Sequence, residues 1–371
     1  MPASSQDTLR ANRPPKSRQR CLLLPPPNLT YTQAHTQVPQ YQKWNLAIEH
    51  RFGPNTSVTI EYDGNHGIHE ALQDNSLNAS TSGFAGLPSS APDPEFTEVT
   101  GVFTEGISNY NGLSATFTHR YKTGEVQVSY TYAHGMDDIS NGGFEPFADS
   151  TNESPDYPQN PFNLKANYGD SDYDIRHYLK ANYVWELPFD KLTGGHAKEI
   201  VGGWQVSGSF IVHTGLPFTP YDEGTTGALA ATGYGGQVFA TLTGIHGSAS
   251  CTGPGSDVDM PCIDVADYTT SENGFGNVTR NSLRGPGFFD SDFSLTKYIT
   301  LPRWESARIG LSANAYNVFN HPNFQNPLAN VADSEFGQIQ DTASSPTSVF
   351  GSFLGANASA RILQLKASFE F

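Results

Sequence analysis

Trp44-Asn-Leu-Ala-Ile-Glu-His-Arg-Phe52, then Gly53-Pro54-Asn55, then Thr56-Ser-Val-Thr-Ile-Glu-Tyr62 reads as two strands joined by a tight turn. Trp44, Leu46, Ile48 and Phe52 recur with period two. After the Gly-Pro-Asn break, Val58, Ile60 and Tyr62 do the same, which is the pattern of a half-buried hairpin. Outward from this hairpin the alternation keeps returning. Leu113, Ala115, Phe117 and Tyr121 form one run; Val126, Val128, Tyr130 and Tyr132 form the next. Ile175, Leu179, Ala181, Tyr183 and Trp185 follow, then Trp204, Val206, Phe210 and Val212. Phe293, Leu295 and Ile299 precede Ile309, Leu311, Ala313 and Ala315. At the end, Leu363, Leu365, Ala367, Phe369 and Phe371 alternate with Gln364, Lys366, Ser368 and Glu370.

The links between these runs alternate short and long. Gly53–Asn55, Lys122–Gly124, Pro188–Lys198 and Leu301–Glu305 are short. The stretches 64–109, 135–172 and 215–287, and the link before the last strand, are long, polar and without a sustained period. Structureless connections of that length argue against a compact globular domain. Transmembrane β-barrels require them, with short periplasmic turns, long extracellular loops and strands that are apolar on the lipid side. The predicted fold is therefore all-β: an antiparallel up-and-down transmembrane β-barrel segment of about nine or ten strands. Residues 1–40 are an atypical or disordered N-terminal segment, and 41–371 the barrel portion. The predicted lipid-facing positions are Leu46, Ile48, Val58, Ile60, Phe117, Val128, Leu179, Tyr183, Val206, Phe210, Phe293, Leu295, Ile309, Leu311, Leu363, Leu365 and Phe369. Trp44, Tyr62, Tyr132, Trp185 and Trp204 suit the aromatic girdles at the two interfaces.

Composition agrees with a strand-rich chain. Of 371 residues, 37% are hydrophobic and 16% charged, with 17 Tyr and 23 Phe, residues that favour strands. The 21 basic and 37 acidic side chains leave a net charge of −16, a field that repels nucleic acid. No run approaches the roughly 20 apolar residues of a membrane-spanning helix. Of the three cysteines, Cys21 is the odd one. Cys251 and Cys262 are either a local disulfide or two free thiols. The basic stretch Arg10–Arg20 leads only into Cys21-Leu-Leu-Leu24 and Pro25-Pro-Pro27, too short for a signal-peptide core, so the start is expected to be a truncation or an internal start site.

Several segments resemble, in order and spacing, the Oar-like branch of TonB-dependent outer-membrane receptors. They are Gln42-Lys-Trp-Asn-Leu-Ala-Ile, Tyr62-Asp-Gly-Asn-His-Gly, Tyr110-Asn-Gly-Leu, Ser129-Tyr-Thr-Tyr-Ala-His-Gly-Met-Asp-Asp, Asp172-Tyr-Asp-Ile-Arg-His-Tyr and Leu187-Pro-Phe. Gly202-Gly-Trp-Gln-Val-Ser-Gly, Gly215-Leu-Pro-Phe-Thr, Arg280-Asn-Ser-Leu-Arg-Gly-Pro-Gly-Phe-Phe-Asp and Asn317-Val-Phe-Asn-His-Pro-Asn-Phe continue the match, which spans 41–371. The terminal Phe371 resembles the signal that outer-membrane proteins present to the barrel-assembly machinery. The resemblance implies a barrel of about 22 strands with an N-terminal plug, powered by the TonB complex. Only about nine strands are legible here, with no plug or TonB-contacting segment, so this chain is expected to be the C-terminal barrel portion in the cell outer membrane. TonB would act on it only if a plug-bearing half is supplied. An open sheet in lipid leaves unpaired backbone groups at each edge, each costing several kcal/mol. Additional strands are therefore required, and the segment 28–38 is a weak candidate because prolines flank it.

Chemistry is sparse. Asp172, Asp174, Arg176 and His177 are the densest polar cluster, but alternation sends His177 away from the carboxylates, so no catalytic, metal or cofactor site is assigned and the chain is read as a non-enzyme. Asp137 with Asp138, and Asp257 with Asp259 and Asp264, are loop carboxylates that could bind Ca²⁺ but read better as solvated side chains. His66 and His69 lack a metal-spaced partner. The Gly-x-Gly triplets at Gly253, Gly274 and Gly285 lack the strand and helix of a phosphate loop. Two other readings stand beside transport. One is a secreted or cell-surface all-β binding module; the other is a hydrolase at the barrel rim, which needs a converging acid, base and nucleophile.

Overall fold

The computed structural model describes residues 26–81, 83–138, 140, 158–160, 162–189, 198–222, 238–244, 251, 253, 260–301, 304–343 and 360–371. Nine long strands build one sheet: β1 (Gln40–Phe52), β2 (Thr56–Asp74), β3 (Val99–Tyr121), β4 (Gly124–Asp137), β5 (His177–Leu187), β6 (Trp204–His213), β7 (Phe288–Leu301), β8 (Trp304–Tyr316) and β9 (Ile362–Glu370). Each is antiparallel to its neighbour in sequence, from β1 at one edge to β9 at the other. This is an up-and-down meander, the order that consecutive hairpins dictate. Gly53, at φ +74°, takes the left-handed conformation that its tight turn needs and that a side chain would resist. Gly203, at φ +72°, sits where a Cβ would lie 2.4 Å from the Tyr298 carbonyl oxygen.

The register assembles the two faces. Directly paired residues point the same way, and Ile48 pairs with Ile60, Ile60 with Ala115, Ala115 with Tyr130 and Tyr130 with Leu179. The row continues from Leu179 to Val212 and Phe289, while Leu295 pairs with Val206 and Ala313, and Ala313 with Leu365. Every predicted lipid-facing position lies on this one face. It is open: Leu46, Ile48, Leu363 and Leu365 are all well exposed. The opposite face carries Asn45, Glu61, Ser114, Thr131, Lys180, Ser207, Ser294, Asn314 and Gln364 at register positions one residue away. Trp44, Tyr62 and Tyr132 sit toward the long-loop end of the apolar face, Trp185 and Trp204 toward the short-turn end, with the Lys297 ammonium 5.6 Å from the Trp204 ring centre.

The structure corrects the sequence reading in four places. The segment 64–109 is not all loop: β2 runs on to Asp74 and β3 starts at Val99, giving strands of 19 and 23 residues, about twice what a bilayer needs. Their outer halves mix polar residues with irregularly spaced apolar ones, among them Leu72, Val99, Val102, Phe103 and Ile107, so alternation fades although the backbone ladder continues with register shifts between Ile68 and Leu72. Leu29–Thr32, expected as loop, is a strand parallel to Val99–Val102. It adds to the projecting part of β3 and not to a sheet edge. The Pro188–Lys198 link ends in a one-turn helix, Lys198–Val201, and the Lys297 ammonium donates to the carbonyls of Ile200 within it and Gly202 just after it.

The fourth correction is the largest. The long stretches 215–287 and 317–361 contain ordered structure with its own core. Phe218, Phe239, Leu283 and Ala329 are essentially solvent-free, and Ile263, Tyr268, Val278 and Phe336 pack with them. Short antiparallel pairs hold it: Pro217–Phe218 with Leu283–Arg284, Tyr221–Asp222 with Val238–Phe239, and Thr241–Leu242 with Tyr268–Thr269. Residues of the β2–β3 loop join at a second cluster, Ala79 and Phe84 with Val238. The loops thus fold together into a cap at one end of the sheet. At roughly 1.5–3 kcal/mol per buried large apolar side chain, this core is sufficient to order segments that have no periodic pattern.

Candidate functional site

The cap meets the sheet through a buried ion network. Arg280 is 1% exposed. Its guanidinium donates to the Asp137 carboxylate (2.6 Å) and carbonyl (3.0 Å), to Asp172 (2.9 Å) and to Ser140 Oγ (3.0 Å). Four residues on, Arg284 donates to Asp170 (2.6 Å), to the Asp174 carboxylate and to the Asp174 carbonyl (2.7 Å). Arg176 donates to Asp174 (2.6 Å) and Asp170 (2.8 Å). The Asp174 carboxylate also accepts from the Gly135 N–H at 2.7 Å. Asn281, held at φ +55°, donates to Asp172 (2.6 Å) and to the Asp170 carbonyl (2.8 Å) and accepts from Thr219 (3.0 Å).

Four carboxylates, Asp137, Asp170, Asp172 and Asp174, thus face three guanidiniums, Arg176, Arg280 and Arg284. His134 stands 2.9 Å from Asp170. Burial opposes the charged form of Asp170, but the hydrogen bonds of His134 and Arg176 and the charges of Arg176 and Arg284 outweigh it, and the carboxyl is held below its ordinary range. Asp172 goes the other way: burial pushes it up and Arg280 pulls back only in part. Asp138, buried beside the network, is pushed up to about 6, chiefly by desolvation, with Asp137 adding to the rise and the Ile107 N–H at 3.0 Å opposing it.

The motifs of the sequence converge here. The Asp172–Tyr178 segment, the Ser129–Asp138 segment and the Arg280–Asp290 segment supply most of the partners, while Asp170, Ser140 and Thr219 come from outside them. His177 diverges as expected: it lies on the apolar face, with Nδ1 2.7 Å from Tyr130 Oη. Asp172 and Asp174, expected at the entry of a strand, lie largely buried, Asp172 held by Arg280 and Asn281 and Asp174 by Arg176 and Arg284. Asp137, weighed as a Ca²⁺ ligand, pairs with Arg280, while Asp264 caps a helical turn by accepting from Ala266 N–H at 3.2 Å. Asp257 and Asp259 lie outside the described residues. His66 Nδ1 is 2.8 Å from Asn109 Oδ1, and His69 stands at φ +57° in β2. Arg280 and Arg284 were quoted in the sequence only as part of a motif; their charge beside a Gly-Pro-Gly turn is the signal that could have marked them as partners for the aspartates.

Two further devices hold the cap. Cys251 and Cys262 form a disulfide with Cα atoms 5.2 Å apart. Cys251 N–H bonds the Arg284 carbonyl (2.8 Å) and Cys262 N–H the Gly337 carbonyl (2.9 Å), so the bridge ties the network strand to the β8–β9 loop. The Asn317–Phe324 segment anchors that loop. Asn323 accepts from Phe289 N–H (2.8 Å) and donates to Phe289 C=O (2.9 Å), imitating a strand partner, and Asn317 closes its own turn by bonding both polar groups of the His321 backbone.

Comparison with known proteins adds the identity. Among curated proteins none matches the chain. The outer membrane transporter YddB from Escherichia coli has a similar structure, with a TM-score of 0.51 at 10% identity over 93% of this chain and 34% of that one. The FrpB iron transporter from Neisseria meningitidis (F3-3 variant) aligns at TM-score 0.42 and 9% identity over 92% of this chain and 33% of that chain. The chain spans about a third of the length of these solved structures. The family model for the outer membrane beta barrel domain matches residues 2–364. The amphipathic meander and this match together establish that the chain belongs to the outer membrane beta barrel domain family and is a protein of the cell outer membrane.

Proposed function

We propose that this chain is the C-terminal barrel portion of a TonB-dependent transporter-type protein. The single observation that carries the reading is the register: in the span next to the short turns, nine strands gather most of their apolar residues on one face and their polar residues on the other. The apolar face, with Leu46, Val128, Phe210 and Leu365, contacts outer-membrane lipid, and the polar face lines the lumen. The short turns lie in the periplasm and the cap lies outside the cell. Among the described residues β1 and β9 each pair on one side only. Their free edges in lipid would cost several kcal/mol per unpaired group, so the edges close on each other or on a further strand. The barrel-assembly machinery reads the terminal strand ending in Phe371, and coupling to TonB requires a plug-bearing segment. The Oar-like resemblance of the motifs supports this branch of receptors.

The test is expression with an export signal in a bacterium with an outer membrane. A heat-modifiable, urea-resistant band in the outer-membrane fraction supports the reading. A monomeric, detergent-free soluble protein of native β-structure would instead favour the secreted binding module and sink the transporter reading.

A further inference from the structure

The polar face is not uniformly filled. Near the cap end two cavities of about 390 and 410 Å³ adjoin, each in the size range of small-molecule sites. Tyr110 lines both. Its ring folds back along its own strand over Gly112, where a Cβ would stand 2.5 Å from the tyrosine hydroxyl, so glycine is what lets the ring lie flat against the wall.

The smaller cavity is lined by Thr131, Asp137, Tyr173, Asp174 and Tyr178 as well as Tyr110. Its two carboxylates are already matched, Asp137 by Arg280 and Asp174 by Arg176 and Arg284. What it offers a ligand is three tyrosine rings and a ring of small polar groups. The larger cavity is lined by Lys43, Asn45, Asp63 and Asn65, one charge of each sign and two amides. Asn65 Oδ1 itself is buried behind the lining and accepts no hydrogen bond from any described residue. The residues come from three separate sequence motifs, Gln42–Ile48, Tyr62–Gly67 and Tyr110–Leu113, which the register of β1, β2 and β3 brings side by side.

From this chemistry we propose that the two cavities form one binding site, centred on Tyr110, for a neutral, hydroxyl-rich ligand of the short oligosaccharide class. The smaller cavity's carboxylates are paired, and the larger carries one charge of each sign, Lys43 and Asp63, so neither cavity selects an ion of one sign. Aromatic faces match the apolar faces of sugar rings, and the mixed amide, carboxylate and ammonium groups match hydroxyls, which both donate and accept. The inference rests on the polar face being the lumen, so the experiment separates the two.

First, Gln127→Cys on a Cys21→Ser background is labelled with a membrane-impermeant maleimide in intact outer membrane. Gln127 is on the polar face beside Asn182. Labelling is expected, and a protected thiol would overturn the lumen reading and this inference with it. Second, the folded chain in detergent is titrated calorimetrically with maltotriose, cellotriose and chitotriose, and with trialanine. At least one sugar is expected to bind, with Asp63→Ala and Tyr110→Ala each weakening it about 5- to 10-fold, the size of one lost hydrogen bond or aromatic contact. Tyr110→Phe keeps the ring, guards against misfolding, and is expected to weaken it less than Tyr110→Ala. An accessible thiol with no sugar binding, binding indifferent to both alanine variants, or tighter binding of trialanine would each overturn the oligosaccharide site while leaving the lumen intact.

Discussion

Arg280 and Asp172 are 108 residues apart in the chain and 2.9 Å apart in the fold. The contact joins the loop before β7 to the loop before β5, and so fastens the cap to the rim of the sheet. Removing one partner of a buried ion pair leaves the other charge in the protein interior, which costs about 3–5 kcal/mol. Arg280→Met should therefore loosen the cap while the strands keep their ladder. Hydrogen exchange checks it: amides of Leu283, Phe218 and Phe239 should lose protection and those of β5 and β6 should keep it.

Reduction of Cys251–Cys262 should act on the same region more gently. The bridge closes a short loop of sequence separation 11, which constrains the unfolded chain by about 2–3 kcal/mol. Limited proteolysis with and without reductant should show faster cutting within the cap, and a Cys251→Ser, Cys262→Ser double variant should lose the reductant dependence.

Asp138 makes the cap sensitive to pH in a stated direction. Its carboxyl rises from 3.8 to about 6 in the folded protein. A raised carboxyl contributes stability that is fully present below pH 3.8 and is lost as pH climbs through about 6, because the folded state resists the charge. Asp138→Asn removes that loss. The full shift corresponds to at most about 3 kcal/mol, and the variant should be about 1–2 kcal/mol more stable than the parent at pH 8 and show no gain at pH 3.5, read from urea midpoints.

Neighbours on one strand should respond oppositely to charge. Val128 pairs with Phe117 and Ala181 on the apolar face, Gln127 with Thr118 and Asn182 on the polar one. An arginine on the lipid face near the bilayer midplane costs about 2–4 kcal/mol, so Val128→Arg should lower the urea midpoint of the heat-modifiable band and Gln127→Arg should leave it nearly unchanged. Equal effects would contradict the facing proposed for the sheet.

Much of the fold was legible because a strand writes its environment into every second residue. Leu46, Ile48, Val58, Ile60, Leu363 and Leu365 announce one apolar face, and Gly53-Pro54-Asn55 and Lys122–Gly124 announce where the chain reverses; period and turn chemistry are local and need no knowledge of partners. The sequence by itself therefore determined strand order, antiparallel pairing and which residues share a face. Beyond Tyr62 and before Leu113, polar residues mix with irregularly spaced apolar ones, so the extension of β2 to Asp74 and the start of β3 at Val99 are set by backbone pairing across the hairpin and leave no periodic trace. The cap core likewise draws Phe218, Phe239, Leu283 and Phe336 from distant points of two loops, and no short window contains the pattern. Only the tertiary structure decided that Arg280 meets Asp137 and Asp172, that Cys251 reaches Cys262, and that Lys43, Asp63, Asn65 and Tyr110 surround one space. Long-range pairing depends on where the whole sheet delivers its loop ends, and a residue's own neighbours in sequence carry no record of that position.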